Sequence, residues 1–100
     1  MDINQINQRV YNLVSKIPKG KVTTYGKISI SLGLKSPRQV GRILHNNPDP
    51  KNIPCHRVVF SSGKLTESFA FGGIEVQKEK LIQEGILFVK DKVDMKNFCI

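Results

Sequence analysis

Apolar residues along the chain recur every three to four positions in some stretches and collect into one compact β-branched run in the middle. Ile3, Ile6, Val10, Leu13, Val14 and Ile17 hold helical spacing and predict an amphipathic first helix. Pro18-Lys19-Gly20 ends it, because proline lacks an amide donor and glycine permits the turn. A second helix is predicted through Tyr25, Ile28 and Leu32, capped by Thr23 or Thr24 and stopped at Gly33. Ser36-Pro37 predicts a third start, a hydroxyl cap followed by proline in the first turn. Over about Pro37 to Asn46, Val40, Ile43 and Leu44 take the inward face. Arg38, Arg42 and His45 lie at i, i+4 and i+7 on the other, flanked by Gln39 and Asn46.

Two short helices joined by a glycine-containing turn, the second carrying basic side chains outward, fit a helix-turn-helix; an ordinary pair of core helices fits as well. Asn47-Pro48-Asp49-Pro50 reads as a rigid loop, and Ile53 to Phe60 as a strand followed by a turn at Ser61-Ser62-Gly63. Phe69-Ala70-Phe71-Gly72-Gly73 reads as a loop. Ile74, Leu81 and Ile82 mark a last helix, closed by Gly85 after Glu84. The tail from Ile86 to Ile100 alternates weakly and predicts one short strand. The expected fold is a mostly helical α/β single domain over residues 1–100, winged-helix-like, with a short strand element near Cys55.

Composition narrows the classes. With 100 residues, 39% of them hydrophobic, the chain supports one core and no separate catalytic lobe. No apolar run approaches the roughly 20 residues that cross a bilayer. Met1-Asp2-Ile3-Asn4-Gln5 lacks the basic and apolar stretches of a signal peptide, so the expected location is intracellular, cytoplasmic or, in a eukaryote, nuclear. A formal charge of +8 suits a polyanionic partner such as nucleic acid, or simply a solvated basic surface. The two cysteines, Cys55 and Cys99, form no Cys-x-x-Cys, and His45 and His56 complete no zinc-ligand spacing, so no metal is expected.

Cys55 and His56 are adjacent, and adjacency alone proves little, since neighbours in an extended segment point to opposite faces. Either His56 sits in a non-extended turn or it reaches the thiol through a water. A cysteine attacks as thiolate, which needs a base or a positive charge nearby, and His56 and Arg57 offer both; on this reading the thiol titrates below a free cysteine. The alternative is an inert, buried thiol.

The stretch Ile53-Pro54-Cys55-His56-Arg57-Val58-Val59 resembles the Pro-Cys-His-Arg-Val motif of the O6-alkylguanine-DNA alkyltransferases, the methylated-DNA–protein-cysteine methyltransferases. Val22-Thr23-Thr24-Tyr25-Gly26 is similar to the start of that family's first helix-turn-helix helix, and Arg38-Gln39-Val40-Gly41 to its recognition helix. Asn46-Asn47-Pro48, Phe69 to Gly73 and Gln83-Glu84-Gly85 follow in the family's order. The resemblance implies that Cys55 accepts the alkyl group, that His56 takes the thiol proton through a water, and that Glu84 orients His56. It implies that Asn47 braces the turn between the helices and the site. Tyr25 would crowd the target phosphate, and Arg38 would fill the space left by the flipped base. Thr24, Gly41 and Arg42 join the DNA-binding set, and Val58, Val59, Ser68 and Phe69 the guanine pocket. The implied partner is double-stranded DNA carrying alkylated guanine (with O4-alkylthymine as a second target), met by a monomer without a cofactor, once per molecule.

Departures accompany the match. The resemblance leads one to expect the DNA-binding and catalytic domain alone, without the N-terminal accessory domain of many members. Glu67-Ser68 stand where small residues or glycine are usual, and Phe69 where tyrosine is frequent. Two rival readings remain at this point. One is an alkyltransferase-like protein, a group that binds lesions but lacks the cysteine; the other is a helix-turn-helix transcription regulator whose Arg38 and Arg42 read base edges.

Overall fold

The computed structural model describes residues 3–67 and 69–100. Helix α1 (Ile3–Ser15) comes first, its last turn closed by Lys16 and Ile17 amides donating to Leu13 and Val14 carbonyls before Pro18. Strand β1 (Thr23–Thr24) leads straight into α2 (Tyr25–Leu32). Thr24 Oγ1 accepts from the Lys27 amide at 3.0 Å, which identifies Thr24 as the cap. Gly33, at φ 65°, takes the left-handed conformation that ends α2. Helix α3 (Pro37–His45) follows after a three-residue connection from Gly33, with Pro37 in its first turn. Ser36 makes no side-chain cap bond, contrary to the expectation of a hydroxyl cap; only its carbonyl serves the helix, accepting from the Gln39 amide.

Helices α2 and α3 pack on each other and α1 packs on both, so the pair is a helix-turn-helix resting on a third helix. Val10, Val14, Ile28, Val40 and Leu44 are buried where the three meet. Tyr11 adds a directed contact, its hydroxyl donating to the Ile43 carbonyl near the end of α3.

The segment expected as a strand from Ile53 to Phe60 is mostly something else. Cys55–Arg57 form a one-turn 3-10 helix, and only Val58–Val59 form a strand, β2, parallel to β1 with Thr23 opposite Val58. The backbone before β2 is bound locally: the Ile53 amide donates to Asp49 O, Cys55 N to Ile53 O and Arg57 N to Pro54 O. Those groups are therefore lost to a ladder. Val58 and Val59 point to opposite faces and enter different cores. Val58 joins the helical core, and Val59 joins a second core with Val22, Leu65, Leu81, Ile86 and Val93.

Helix α4 (Gly73–Gln83) closes the second core through only one of the three residues that mark it in the sequence. Leu81 is buried with Gln77, whereas Ile74 and Ile82 are exposed. The tail also departs from one strand: β3 (Phe88–Val89) and β4 (Lys92–Val93) form a hairpin, followed by a short helix α5 (Met95–Phe98). Lys90 and Asp91 turn the hairpin at φ 51° and 66°, the left-handed pair usually supplied by Asn-Gly, so the turn carried no sequence signal. A bridge from Val22 to Cys99 then pins the tail beside β1. No helix among the described residues is long and apolar enough to cross a membrane.

Candidate functional site

The site grows from the loop that leaves α3. Asn47 is buried; its Nδ2 donates to Ile53 O at 2.8 Å and its Oδ1 accepts from the Asp49 amide at 2.9 Å. One side chain thus ties both ends of the Asn47–Ile53 loop and sets where the 3-10 turn begins. That turn puts Cys55 and His56 in a non-extended backbone, one of the two arrangements open from the sequence.

Cys55, 6% exposed, is a nearly buried part of the lining of a groove of about 740 Å³. Helix α3 contributes Arg38, Gly41 and Arg42 to the same groove, and Tyr25, Phe60 and Phe69 line it as well. A Cβ built on Gly41 meets nothing within 4 Å, so packing inside the protein does not demand glycine there; its small size leaves space in the groove. Tyr25 and Phe60 rings lie 5.3 Å apart at 47°. Phe69 packs edge-on to Phe71 at 5.7 Å.

Behind the thiol lies a polar array. His56 Nε2 is 3.1 Å from Glu84 Oε2, with the ring turned so that an N–H there does not aim straight at the oxygen. Arg57 grips the same carboxylate with two bonds, Nε to Oε1 at 2.9 Å and Nη2 to Oε2 at 2.6 Å, and its Nη1 donates to Ile17 O at 2.7 Å. The bidentate clamp fixes Glu84, which in turn limits the His56 ring.

The electrostatics follow from burial and these contacts. Burial pushes the Cys55 thiol above its ordinary value, only partly offset by a hydrogen bond from Asn47 and the charge of Lys80. This corrects the expectation of a depressed thiol: Arg57 spends its charge on Glu84 and Ile17 instead. Burial likewise lowers His56, and Arg57 and Lys80 push the same way against Glu84, so the imidazole is a neutral base at neutral pH. Burial works to raise Glu84, but the bonds and charges of Arg57 and His56 outweigh it and hold the carboxyl below the usual range. Burial, then the nearby Cys55, raise Tyr25 to about 12 despite a bond with Thr66, so its hydroxyl stays protonated.

The residues singled out in the sequence fall into three places. Cys55, Tyr25, Arg38, Gly41, Arg42 and Phe69 line the groove. His56, Glu84 and Asn47 stand behind it as a support. Thr24, Val58 and Val59 are elsewhere: Thr24 is 4% exposed and occupied as a cap, and both valines are fully buried in the cores. Ser68 lies outside the described residues. Sequence reasoning missed Phe60, which follows the recognised motif directly, and Gln77, a polar residue on the Leu81 stripe of α4. It offered Arg57 as a positive charge for the thiol, whereas the guanidinium pairs with Glu84. Among the described residues no cluster of His, Cys, Asp and Glu could hold a metal ion.

Comparison with known proteins bears on the fold and the family. Alkyltransferase-like protein 1 of Schizosaccharomyces pombe is 36% identical over 87 residues, covering 86% of this chain and 81% of that protein. A crystal structure of S. pombe Atl1 in complex with damaged DNA containing O6-carboxymethylguanine superposes with a TM-score of 0.88 at 29% identity, over 100% of this chain and 98% of that one. A methylated-DNA–protein-cysteine methyltransferase of Pyrobaculum aerophilum is 44% identical over 90 residues, 87% of this chain but 56% of the relative. The chain spans about half the length of the curated methyltransferases it matches. The sequence model of 6-O-methylguanine DNA methyltransferase, DNA binding domain, matches residues 5–86, and the chain belongs to that family.

Proposed function

We propose that this protein binds double-stranded DNA, turns an O6-alkylated guanine into the groove, and moves the alkyl group onto Cys55. The observation that carries the reading is the placement of one nearly buried thiol in a groove shared with the basic face of α3, backed by His56, Glu84 and Arg57. The alkyl carbon points into the base stack, so the nucleotide must leave the stack before attack. Arg38 and Arg42 meet the duplex, with Arg38 filling the vacated space, and Tyr25 presses on the phosphate beside the rotated nucleotide. Cys55 Sγ passes its proton to neutral His56 through a water, and Glu84, held by Arg57, stabilises the imidazolium. The S–C bond forms as the C–O6 bond breaks; the electron pair stays on the guanine, which takes a proton at N1 from water, while the His56 imidazolium returns its proton to solvent. The thioether has no leaving reaction, so each molecule acts once.

The test is intact mass after incubation with an O6-methylguanine duplex. One methyl per protein, mapped to Cys55 and lost in Cys55→Ser while DNA binding survives, supports the reading. Methyl on Cys99, or repeated turnover, overturns it. A second reading, lesion binding without transfer, draws support from the end-to-end likeness to the S. pombe protein and from the raised thiol. Tight binding to the lesion with no mass gain decides for it.

A further inference from the structure

Gln77 has no part in the chemistry above, yet it is fully buried in the middle of α4. A buried amide costs a few kcal/mol unless its polar atoms are paired. Here Nε2 donates to His56 O at 3.2 Å and to Val58 O at 3.1 Å, and Oε1 accepts from the Thr66 amide at 3.2 Å. One side chain therefore joins the Cys55–Arg57 turn, β2 and the segment around Thr66.

That last segment matters for the groove. Thr66, Phe69 and Ala70 all line it, and Thr66 also bonds the Tyr25 side chain. Between Leu65 and Gly72 the described residues form turns and no repeating structure; the Phe69 amide donates to Thr66 O and the Gly73 amide to Phe69 O, and Gln77 ties the start of that turn to the rest of the domain. At its other end Gln77 holds the carbonyl of His56, the residue next to the thiol. Simple space-filling on the Leu81 stripe needs only a Leu or Met; an amide spending both its donors and its acceptor on three backbone groups does more.

We infer that Gln77 is a positioning residue that locks the nucleophile turn to the facing wall of the groove, so that occupation of the wall and alignment of Cys55 and His56 are mechanically coupled. The biological meaning of this lock rests on Cys55 being the alkyl acceptor; the lock itself can be read without it. A substrate pressing on Tyr25 or Phe69 then bears on the His56 peptide through Thr66 and Gln77.

The experiment uses the full chain with Cys99→Ser, leaving one thiol, and compares Gln77 with Gln77→Met (no hydrogen bonds) and Gln77→Glu (acceptor kept, donors lost). Leu81→Ala serves as a control that loses buried packing on the same helix with Gln77 intact. Two readouts are taken below the melting temperature of every variant. One is the rate and pH profile of Cys55 alkylation by iodoacetamide. The other is single-turnover methyl transfer from an O6-methylguanine duplex, resolved into half-saturating DNA and limiting rate. Both Gln77 variants should lower the limiting rate about tenfold or more, as ångström-scale misplacement does, with half-saturation changed less than about twofold. Their iodoacetamide pH profiles should shift from the parent's, while Leu81→Ala keeps the parent profile and rate despite lower stability. Should neither Gln77 variant fold, hydrogen exchange at the Thr66 amide in the parent protein replaces them, and it should change when Cys55 is alkylated. Rates and profiles within about twofold of the parent, a Leu81→Ala loss equal to Gln77→Met, or unchanged Thr66 exchange overturns the lock. Absence of methyl transfer by the parent, with a shifted iodoacetamide profile in the variants, sinks the alkyltransferase reading and leaves the lock standing.

Discussion

Replacing Arg57 with Met keeps the aliphatic stem and deletes the guanidinium, which makes it the sharpest probe of the array behind the thiol. The guanidinium makes three bonds, two to Glu84 and one to Ile17 O, and the two side chains are 15% and 12% exposed. Removing one partner of a largely buried pair costs about 3–5 kcal/mol, because the remaining charge is stranded. Residual water access at Glu84 and its contact with His56 argue for the lower end, about 3 kcal/mol. In a domain of this size each kcal/mol moves the melting temperature by about 4–8 °C, so a fall of roughly 12–24 °C is expected. The pH dependence carries a second signature. Glu84 titrates below the ordinary 4.5, so the stability from its partners is complete above that pH and disappears as pH falls through the lower folded value. His56 also titrates below its ordinary 6.5, so acid begins to destabilise the fold from that pH downward, before Glu84 protonates. In Arg57→Met the Glu84 part of the acid loss should shrink. The His56 part should shrink too, since the guanidinium no longer repels the imidazolium. Thermal melts from pH 3 to pH 8 on both proteins measure this. A cost under about 1 kcal/mol, as for an exposed pair, together with an unchanged acid limb, would refute the reasoning.

Arg38→Ala should slow repair of duplex DNA far more than reaction with the free modified base, because only the duplex requires extrusion; equal losses on both would show that Arg38 fills no vacated space. Affinity for undamaged duplex should fall steeply with salt and vary little with sequence, and Arg42→Ala should flatten the log–log slope by about 0.9 for one lost phosphate contact. A strong preference for one sequence at high salt would favour a transcription regulator instead. Glu67 is exposed next to the groove wall, adding bulk and negative charge where the resemblance leads one to expect a small residue or glycine. Glu67→Gly should therefore speed benzyl transfer more than methyl transfer and tighten DNA binding slightly at low salt, and no change in either rate would detach Glu67 from the pocket.

The parts of this fold that the sequence announces are those whose causes lie within one helical turn. Thr24 caps α2 through an amide three residues away, and Gly33 ends it with its own φ. Apolar spacing in α1 and α3 likewise reports directly on which face is buried. The Cys55–Arg57 turn is different, because Ile53 to Phe60 has β-rich composition and the competing bonds come from elsewhere. Asn47 reaches six residues forward and Asp49 takes the Ile53 amide, so the backbone is already committed before a ladder can form. Propensity describes a residue's fit to a pleated surface and says nothing about partners that arrive from another segment. The same limit governs the site. The identities of Cys55, His56 and Glu84 are visible through the family motif, but Arg57 meets Glu84 across 27 residues and Gln77 meets His56 across 21. Arg57 beside a cysteine invites the inference of a lowered thiol pKa; what decides the matter is that a carboxylate from the end of α4 captures the guanidinium first. The thiol is then left nearly buried and protonated, and on the proposed mechanism its activation passes to a neutral histidine that can take up the proton. On the proposed mechanism, in which each molecule acts once, an array built this way keeps Cys55 largely quiescent toward ordinary electrophiles in solution until a substrate is aligned.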